Sequence, residues 1–463
     1  MERGGDRKTI FNWNKTERSE PFVFEPKTVN ELQAILKMAR DKKIAVRVVG
    51  SSRHTWGGLS MSVGYLIDMR HFNKILSIDP DARTAKAEAG VILRAFNYEL
   101  EKHGLALPNI GGIDAQCIAG VASTGTHGSS LRHGTISDEV IALEVVTANG
   151  ELVTIERSHP DFFAFQTSLG ALGIITALTF VCVDHFYLAY ETSSSSRTWR
   201  NFTLAEIKKF LEENYFFQIA INPFTEQVLL SFKNKIPAEH VKKTFTHFVT
   251  SPWNMVRETL GVYAVEYMAL PLTRRFPSLI KPFLNFSFKL LQEESIDTAR
   301  RALTLGNNDA RGLYVNKTFQ DQEYAVDIEH TIPAVNKVLA IIQKCDHEGR
   351  TAPITLGIRF VAKSEAYINT ASRRETCYID VLLFDTPFGK WKDLIEEIEN
   401  ALYPLEARPH WGKNNFLTYE KIKKWNLYPE IEKFREVKAK YDPENIFSNE
   451  YLESRLQFSK QNI

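Results

Sequence analysis

His54 stands in the segment 46–58, VRVVGSSRHTWGG, four positions after Gly50 and two after a pair of serines. Val46, Val48 and Val49 suit a buried strand, whereas Gly50, Ser51 and Ser52 let the backbone curl so that successive N–H groups face an anion. A loop at a strand end presents its imidazole to whatever carries that anion. A second small-residue segment, 105–130, reads LALPNIGGIDAQCIAGVASTGTHGSS, with glycines at 111, 112, 120, 125 and 128. It lacks the strand-following G-x-G-x-x-G and the G-K-[ST] ending, so nicotinamide and ATP readings weaken. What remains is a run of backbone and hydroxyl donors able to lie along an extended diphosphate. The segment 168–180, SLGALGIITALTF, offers a third close backbone approach at Gly173.

The elements around these loops follow from periodicity. Thr28 and Glu31 have capping-box spacing, and Leu32, Ile35, Leu36 and Ala39 recur at helical intervals, which predicts an amphipathic helix over 28–42 leading into the first loop. Strands are expected at 65–69 and 84–89, and Ile92, Leu93, Phe96 and Leu100 mark a helix. Val140–Val146 and 151–155 flank Asn149-Gly150, a strong hairpin signal. Further on, 217–232 and 324–330 read as strands, and 333–344 and 386–403 as helices, an α+β pattern.

The chain has 463 residues, which suggests at least two domains, and the composition shift after Asp184 places a boundary near 187. Basic and acidic residues number 57 and 56, a net charge of +1, and no basic stripe with interleaved aromatics occurs, so a nucleic-acid partner is not expected. Cys117, Cys182, Cys345 and Cys377 show neither a metal-ligand rhythm nor a disulfide framework, so no metal is expected and a reducing compartment fits. The start MERGGDRKTI lacks a signal-peptide core, and no run reaches ~18 apolar residues, so the expectation is a cytoplasmic, non-secreted protein. The segment 270–291, LPLTRRFPSLIKPFLNFSFKLL, is basic and apolar but broken by Pro277 and Pro282; it suits either core packing or a peripheral membrane contact.

Together GSSRHTWGG (50–58), IAGVASTGTHGSS (118–130), SLGALGIIT (168–176), RPHWGK (408–413) and YDPENIF (441–447) resemble the sugar-1,4-lactone oxidases of the vanillyl-alcohol-oxidase superfamily, from about residue 17 to 450. The resemblance implies a two-domain α+β flavoprotein: an FAD-binding domain at 17–187, a substrate or cap domain at 188–407, and a C-terminal segment, 408–463, returning to the first. It implies FAD contacts from Gly50, Ser51, Ser52, Arg53, His54 and Thr55. Further contacts are implied from Gly111, Gly112, Gly120, Ser123, Thr124, Gly125, Thr126, His127 and Gly128, and from Gly173 and Ile175. His54 matches the position that carries the flavin covalently, a role open to a neutral imidazole nucleophile. Arg359 in TAPITLGIRF matches the arginine placed over flavin and substrate, and Lys413 matches the substrate-side lysine, with His410 beside it.

The implied reaction is oxidation of an alcohol carbon of a sugar lactone by hydride transfer to flavin N5. Dioxygen is the expected acceptor, because Gly111 stands where related dehydrogenases carry an obstructing alanine. Alditol oxidation, a dehydrogenase with another acceptor and a catalytically decayed flavin-binding protein are the alternatives. One departure bears on all of them. Relatives carry Glu-x-Arg on this strand, two side chains on one face, whereas this chain has Gly357-Ile358-Arg359. Asp380, on the following expected strand, replaces the missing carboxylate only if the fold brings it near.

Overall fold

The helix Val29–Asp41 begins at Thr28, whose side chain accepts from the Glu31 N–H, and buries Leu32, Ile35, Leu36 and Ala39. The Glu31 carboxylate closes the cap on the Lys27 N–H at 2.7 Å, one residue earlier than the capping-box spacing predicts. The computed structural model describes residues 5–239, 241, 270–290, 293–304, 320–383 and 388–458. Thr386 and Leu291, at the ends of two expected segments, lie outside them.

The helix feeds Val46–Val49, which pairs in parallel with Tyr65–Asp68 in a four-stranded sheet. A second, five-stranded sheet is antiparallel throughout and contains Thr84–Glu88, Val140–Val146, Leu152–Glu156 and Ile174–Val181. The turn between Val140–Val146 and Leu152–Glu156 closes through Thr147 N–H to the Glu151 carbonyl at 2.9 Å, with Gly150 at φ +84. The strand therefore starts one residue later than expected.

The other large unit is an eight-stranded antiparallel sheet. Four adjacent strands matter for the site: β1 (Phe216–Ile221), β2 (Gln320–Asp327), β3 (Ile354–Val361) and β4 (Thr376–Leu383), in spatial order β1, β3, β4, β2. Ile354, Leu356, Ile358 and Phe360 face a core shared with the helices Thr331–His347 and Phe388–Leu402, while Thr355, Gly357 and Arg359 face the opposite side. β2 stops at Asp327, whose carboxylate accepts the Glu329 N–H at 2.9 Å and turns 328–330 into a 3-10 turn instead of the expected strand.

The C-terminal segment packs on the first sheets. The Val46 N–H bonds to the Ile446 carbonyl at 2.7 Å, and the Asn449 amide donates to the carbonyls of Gly58, Leu59 and Met61 at 2.9–3.2 Å. Trp411, Leu417, Phe434, Phe447 and Leu452 share one buried cluster with Leu32, Val46 and Ile67. Among the described residues no helix is long and apolar enough to cross a membrane. The basic apolar segment forms helices Leu270–Arg275 and Ile280–Leu290 around a 3-10 turn at Pro277–Leu279. Ile280, Leu284 and Phe288 are buried, whereas Leu272, Phe276, Leu279 and Phe286 are exposed.

Candidate active site

The first loop and the second small-residue segment interlock because their glycines leave no room for a side chain. A Cβ at Gly50 would lie 2.6 Å from Cys117 Sγ, one at Gly111 2.9 Å from Thr126 Cγ2, and one at Gly128 1.9 Å from Asn109 Oδ1. Ile118–Thr124 is a short helix ended by Gly125 at φ +72, a left-handed cap that favours glycine. Thr124 donates back to the Gly120 carbonyl at 3.0 Å, the Thr126 N–H bonds to Val121, and the Leu169 N–H bonds to the buried Ser123 carbonyl, tying in the third segment. Open space surrounds the Cβ position of Gly120. In the first loop Arg53 takes φ +45, and its Nε donates to the Phe11 carbonyl at 3.1 Å. Thr55 Oγ1 lies 2.9 Å from Ser60 Oγ. Gly173 also has a packing explanation: at φ +153, its Cβ would meet Val145 Cγ1 at 2.5 Å, and Ile175 pairs with Val145.

His54 lies between Trp13 and Trp56, with ring centroids at 4.7 and 4.9 Å, and its Nδ1 is 3.4 Å from the Gln116 amide. Its Nε2 is buried with no hydrogen-bond partner. Burial, and then the positive charge of Lys413, push its pKa down to about 3. The imidazole is neutral at physiological pH, the form in which a ring nitrogen has a lone pair for a carbon electrophile.

Facing this loop is a densely charged sheet surface. The register puts Gly357, Asp380 and Glu323 in one row across β3, β4 and β2, between Arg359 on one side and Asp321 on the other. Lys413 forms an ion pair with Asp321 and stands 4.4 Å from the Trp56 ring centroid. Arg359 Nη2 lies 3.3 Å from Asp380 Oδ2, and Nη1 is 3.8 Å from Glu323 Oε1. The fold thus brings Asp380 beside the position where the family resemblance implies a glutamate: a Cβ at Gly357 would be 3.4 Å from the Asp380 side chain.

Burial and neighbouring charge pull Asp380 and Glu323 in opposite directions. Burial, then the negative charges of Asp321 and Glu323, hold Asp380 well above the usual carboxylate range. Burial opposes ionisation of Glu323 too, but His127 and then Arg359 outweigh it and hold that carboxyl well below its usual range. Burial disfavours the charged forms of Arg359 and Lys413, yet the surrounding carboxylates raise both above their ordinary values. The cationic forms of Arg359 and Lys413 and the anionic form of Glu323 are favoured, whereas Asp380 is pulled toward its protonated form.

Behind this row, His127, Glu323 and His410 bring one donor atom each within 4.8 Å of one another, a grouping that sequence spacing does not show. His127 Nε2 is 3.3 Å from Glu323 Oε1, its Nδ1 is 2.9 Å from the Gly128 carbonyl, and its ring stacks on Tyr378 at 3.5 Å. His410 Nδ1 accepts the Gly412 N–H at 3.1 Å, and burial lowers its pKa to about 3, so its proton is on Nε2. The residues that spacing missed are Asp321, Glu323, Gln116, Trp13 and Tyr378. The signal for the first two was present: carboxylates two apart, QDQEYAVD, in a strand otherwise fit for burial.

A diphosphate-bearing, redox-active ring system suits this arrangement. The open backbone at Gly120, the left-handed Gly125 and the orphaned Nε2 of a neutral histidine form one wall, and fixed cations form the other. These are the features of a two-domain, FAD-linked oxidoreductase. Residues 21–156 match the family described as FAD binding domain, and residues 178–455, more than half of the chain, match D-arabinono-1,4-lactone oxidase. The chain belongs to the D-arabinono-1,4-lactone oxidase family. It is 27% identical to L-gulonolactone oxidase of Mus musculus over 96% of this chain and 97% of that protein. It is 26% identical to L-gulono-1,4-lactone dehydrogenase of Mycobacterium tuberculosis over 95% of this chain and 97% of that protein. The structure of cholesterol oxidase from Brevibacterium sterolicum superposes with a TM-score of 0.78 at 18% identity, covering 97% of each chain, a likeness of fold.

Proposed function

We propose that the protein oxidises an alcohol carbon of an aldono-1,4-lactone, with FAD attached covalently through His54 and dioxygen as electron acceptor. The single observation that carries this reading is the pairing of a half-buried, neutral His54, its Nε2 buried and unpartnered, with the Arg359–Asp380 and Lys413–Asp321 pairs on the opposite wall. FAD, when bound, supplies the hydride acceptor. Residues 50–55 and 111–128 hold its diphosphate through backbone N–H groups and hydroxyls, within an FAD-binding domain at 17–187 completed by 408–463; 188–407 is the substrate domain. Arg359 and Lys413, both held protonated, stabilise negative charge on the substrate oxygen as its proton leaves. Asp321 Oδ1, buried and unpartnered, is the acceptor for that proton. His410 and His127 keep Glu323 and the second FAD segment in place.

The deciding experiment is anaerobic titration of the holoprotein with lactones and alditols, followed by readmission of air. Bleaching by lactones and recovery with hydrogen peroxide formation are expected. Bleaching without recovery in air selects the dehydrogenase alternative, and no bleaching by any substrate selects the decayed flavin protein. Gly111 supports dioxygen as acceptor, although its packing against Thr126 gives it a second reason to be glycine.

A peripheral membrane contact is a second element of this reading. It is favoured by the exposure of Leu272, Phe276, Leu279 and Phe286 in a segment, 270–290, that contains four basic and no acidic residues. Flotation with anionic vesicles is expected for the native chain and lost in Phe276→Ser with Phe286→Ser. Equal flotation of both removes this element alone.

A further inference from the structure

Gly357 occupies the middle of a central strand, where glycine is unfavourable unless something approaches closely. It is not among the glycines with positive φ, so its backbone does not require glycine. Among the described residues, and apart from its chain neighbours, only atoms of the Asp380 side chain lie within 4 Å of its Cβ position. Its neighbour across β1 is Ala220, another small residue, and both are partly open to the side that faces the FAD-binding segments. The row running Ala220, Gly357, Asp380, Glu323 is therefore a shallow floor ending in two carboxyls. Gln218, Ser231 and Arg359 line a cleft with Gly112 and Ser129 of the first domain, so the floor lies beside a path between the domains.

Asp380 supplies the second observation. It is 3% exposed, its Oδ2 is held by Arg359, and its Oδ1 is buried with no partner. A buried carboxyl oxygen left unpaired is destabilising, a cost removed if a ligand hydroxyl completes it. The adjacent carboxyls Asp321 and Glu323 make a neutral hydroxyl a better partner there than an anion.

We propose that Ala220, Gly357 and Asp380 form the subsite for the exocyclic hydroxylated side chain of the lactone, so that the enzyme favours six-carbon over five-carbon aldono-1,4-lactones. This rests on the lactone reading above. The small floor admits the extra carbon, and the Asp380 carboxyl bonds its hydroxyl. Specificity then comes from a satisfied hydrogen bond and from space, both lost together when the floor is filled.

The test compares L-galactono-1,4-lactone with D-arabinono-1,4-lactone, which share ring configuration and differ by one CHOH unit. Their kcat/KM values are measured on the native holoenzyme and on the Ala220→Val, Gly357→Ala and Asp380→Asn variants, each at matched flavin content. The native enzyme is expected to prefer the six-carbon lactone. The preference is expected to fall about tenfold in Ala220→Val, and less in Gly357→Ala, where the added carbon makes only ordinary van der Waals contact with Asp380. In Asp380→Asn the six-carbon KM rises more than the five-carbon KM. A native enzyme that prefers the five-carbon lactone, or an Ala220→Val variant in which both lactones suffer equally, overturns the subsite. If a filled-floor variant fails to retain flavin, the native preference together with the Asp380→Asn split decides. Failure of both lactones to reduce the native flavin instead overturns the lactone reading.

Discussion

The two walls of the cleft hold what lies between them by different means. On the wall made by 50–55 and 109–128, glycines and short hydroxyl side chains present backbone, and the titratable group turned to the cleft, His54, is neutral. On the wall made by β2, β3 and β4 with Lys413 beside them, three buried carboxyls in adjacent rows meet two half-buried cations. The first wall binds by shape and N–H groups. The second places charge where a reaction needs it, and the folding cost of burying that charge is offset only because nearly every group has an opposite neighbour. Removing a side chain from the second wall therefore alters chemistry, and from the first, cofactor retention.

The sharpest way to break this division is Arg359→Met. Turnover is expected to fall by about 10²–10³-fold, the scale for losing a fixed charge stabiliser, while acid-precipitated protein keeps its yellow colour. Loss of bound flavin together with turnover would mean that the charged wall also holds the cofactor. Asp380→Asn comes next. It keeps size but removes the carboxyl that Arg359 holds, so kcat/KM should drop about tenfold, chiefly in KM. An unchanged KM removes Asp380 from substrate contact.

His54→Ala tests the other wall. FAD should become extractable by acid, and turnover should fall by less than in Arg359→Met; flavin that remains in the pellet points to another attachment residue. The smallest expected effect concerns stability. Glu399, bonded to Tyr403 Oη and the Phe416 N–H, has its carboxyl raised from 4.5 to about 7, first by burial, while those bonds oppose the shift. Its folded value exceeds its unfolded one, so its contribution is full below pH 4.5 and is lost as pH rises through 7. Thermal unfolding of Glu399→Gln should lose this part of the pH dependence between 4.5 and 7; a profile parallel to the native one refutes the assignment.

The same contrast explains what the sequence disclosed. The backbone-binding wall is written in contiguous text, because glycine, serine and histidine at short spacing have local consequences; the strand Val46–Val49, the loop and the Thr28-capped helix were all legible. The charged wall is assembled from positions up to 92 residues apart, as in Lys413 with Asp321. Strand order, which no local spacing encodes, decides which carboxyl meets which cation. Arg359, Lys413 and the alternative of Asp380 were reached through resemblance, and Asp321 and Glu323 were missed. In 328–330, an Asp327 side-chain bond to backbone overrode the apolar signal.

The Asn449 amide grips three carbonyls of the first loop region, and the Val46 N–H is held by Ile446. The anion cradle is thereby clamped by a residue 388–391 positions further along the chain. Damage to that distant clamp would be felt first as an enzyme that emerges pale.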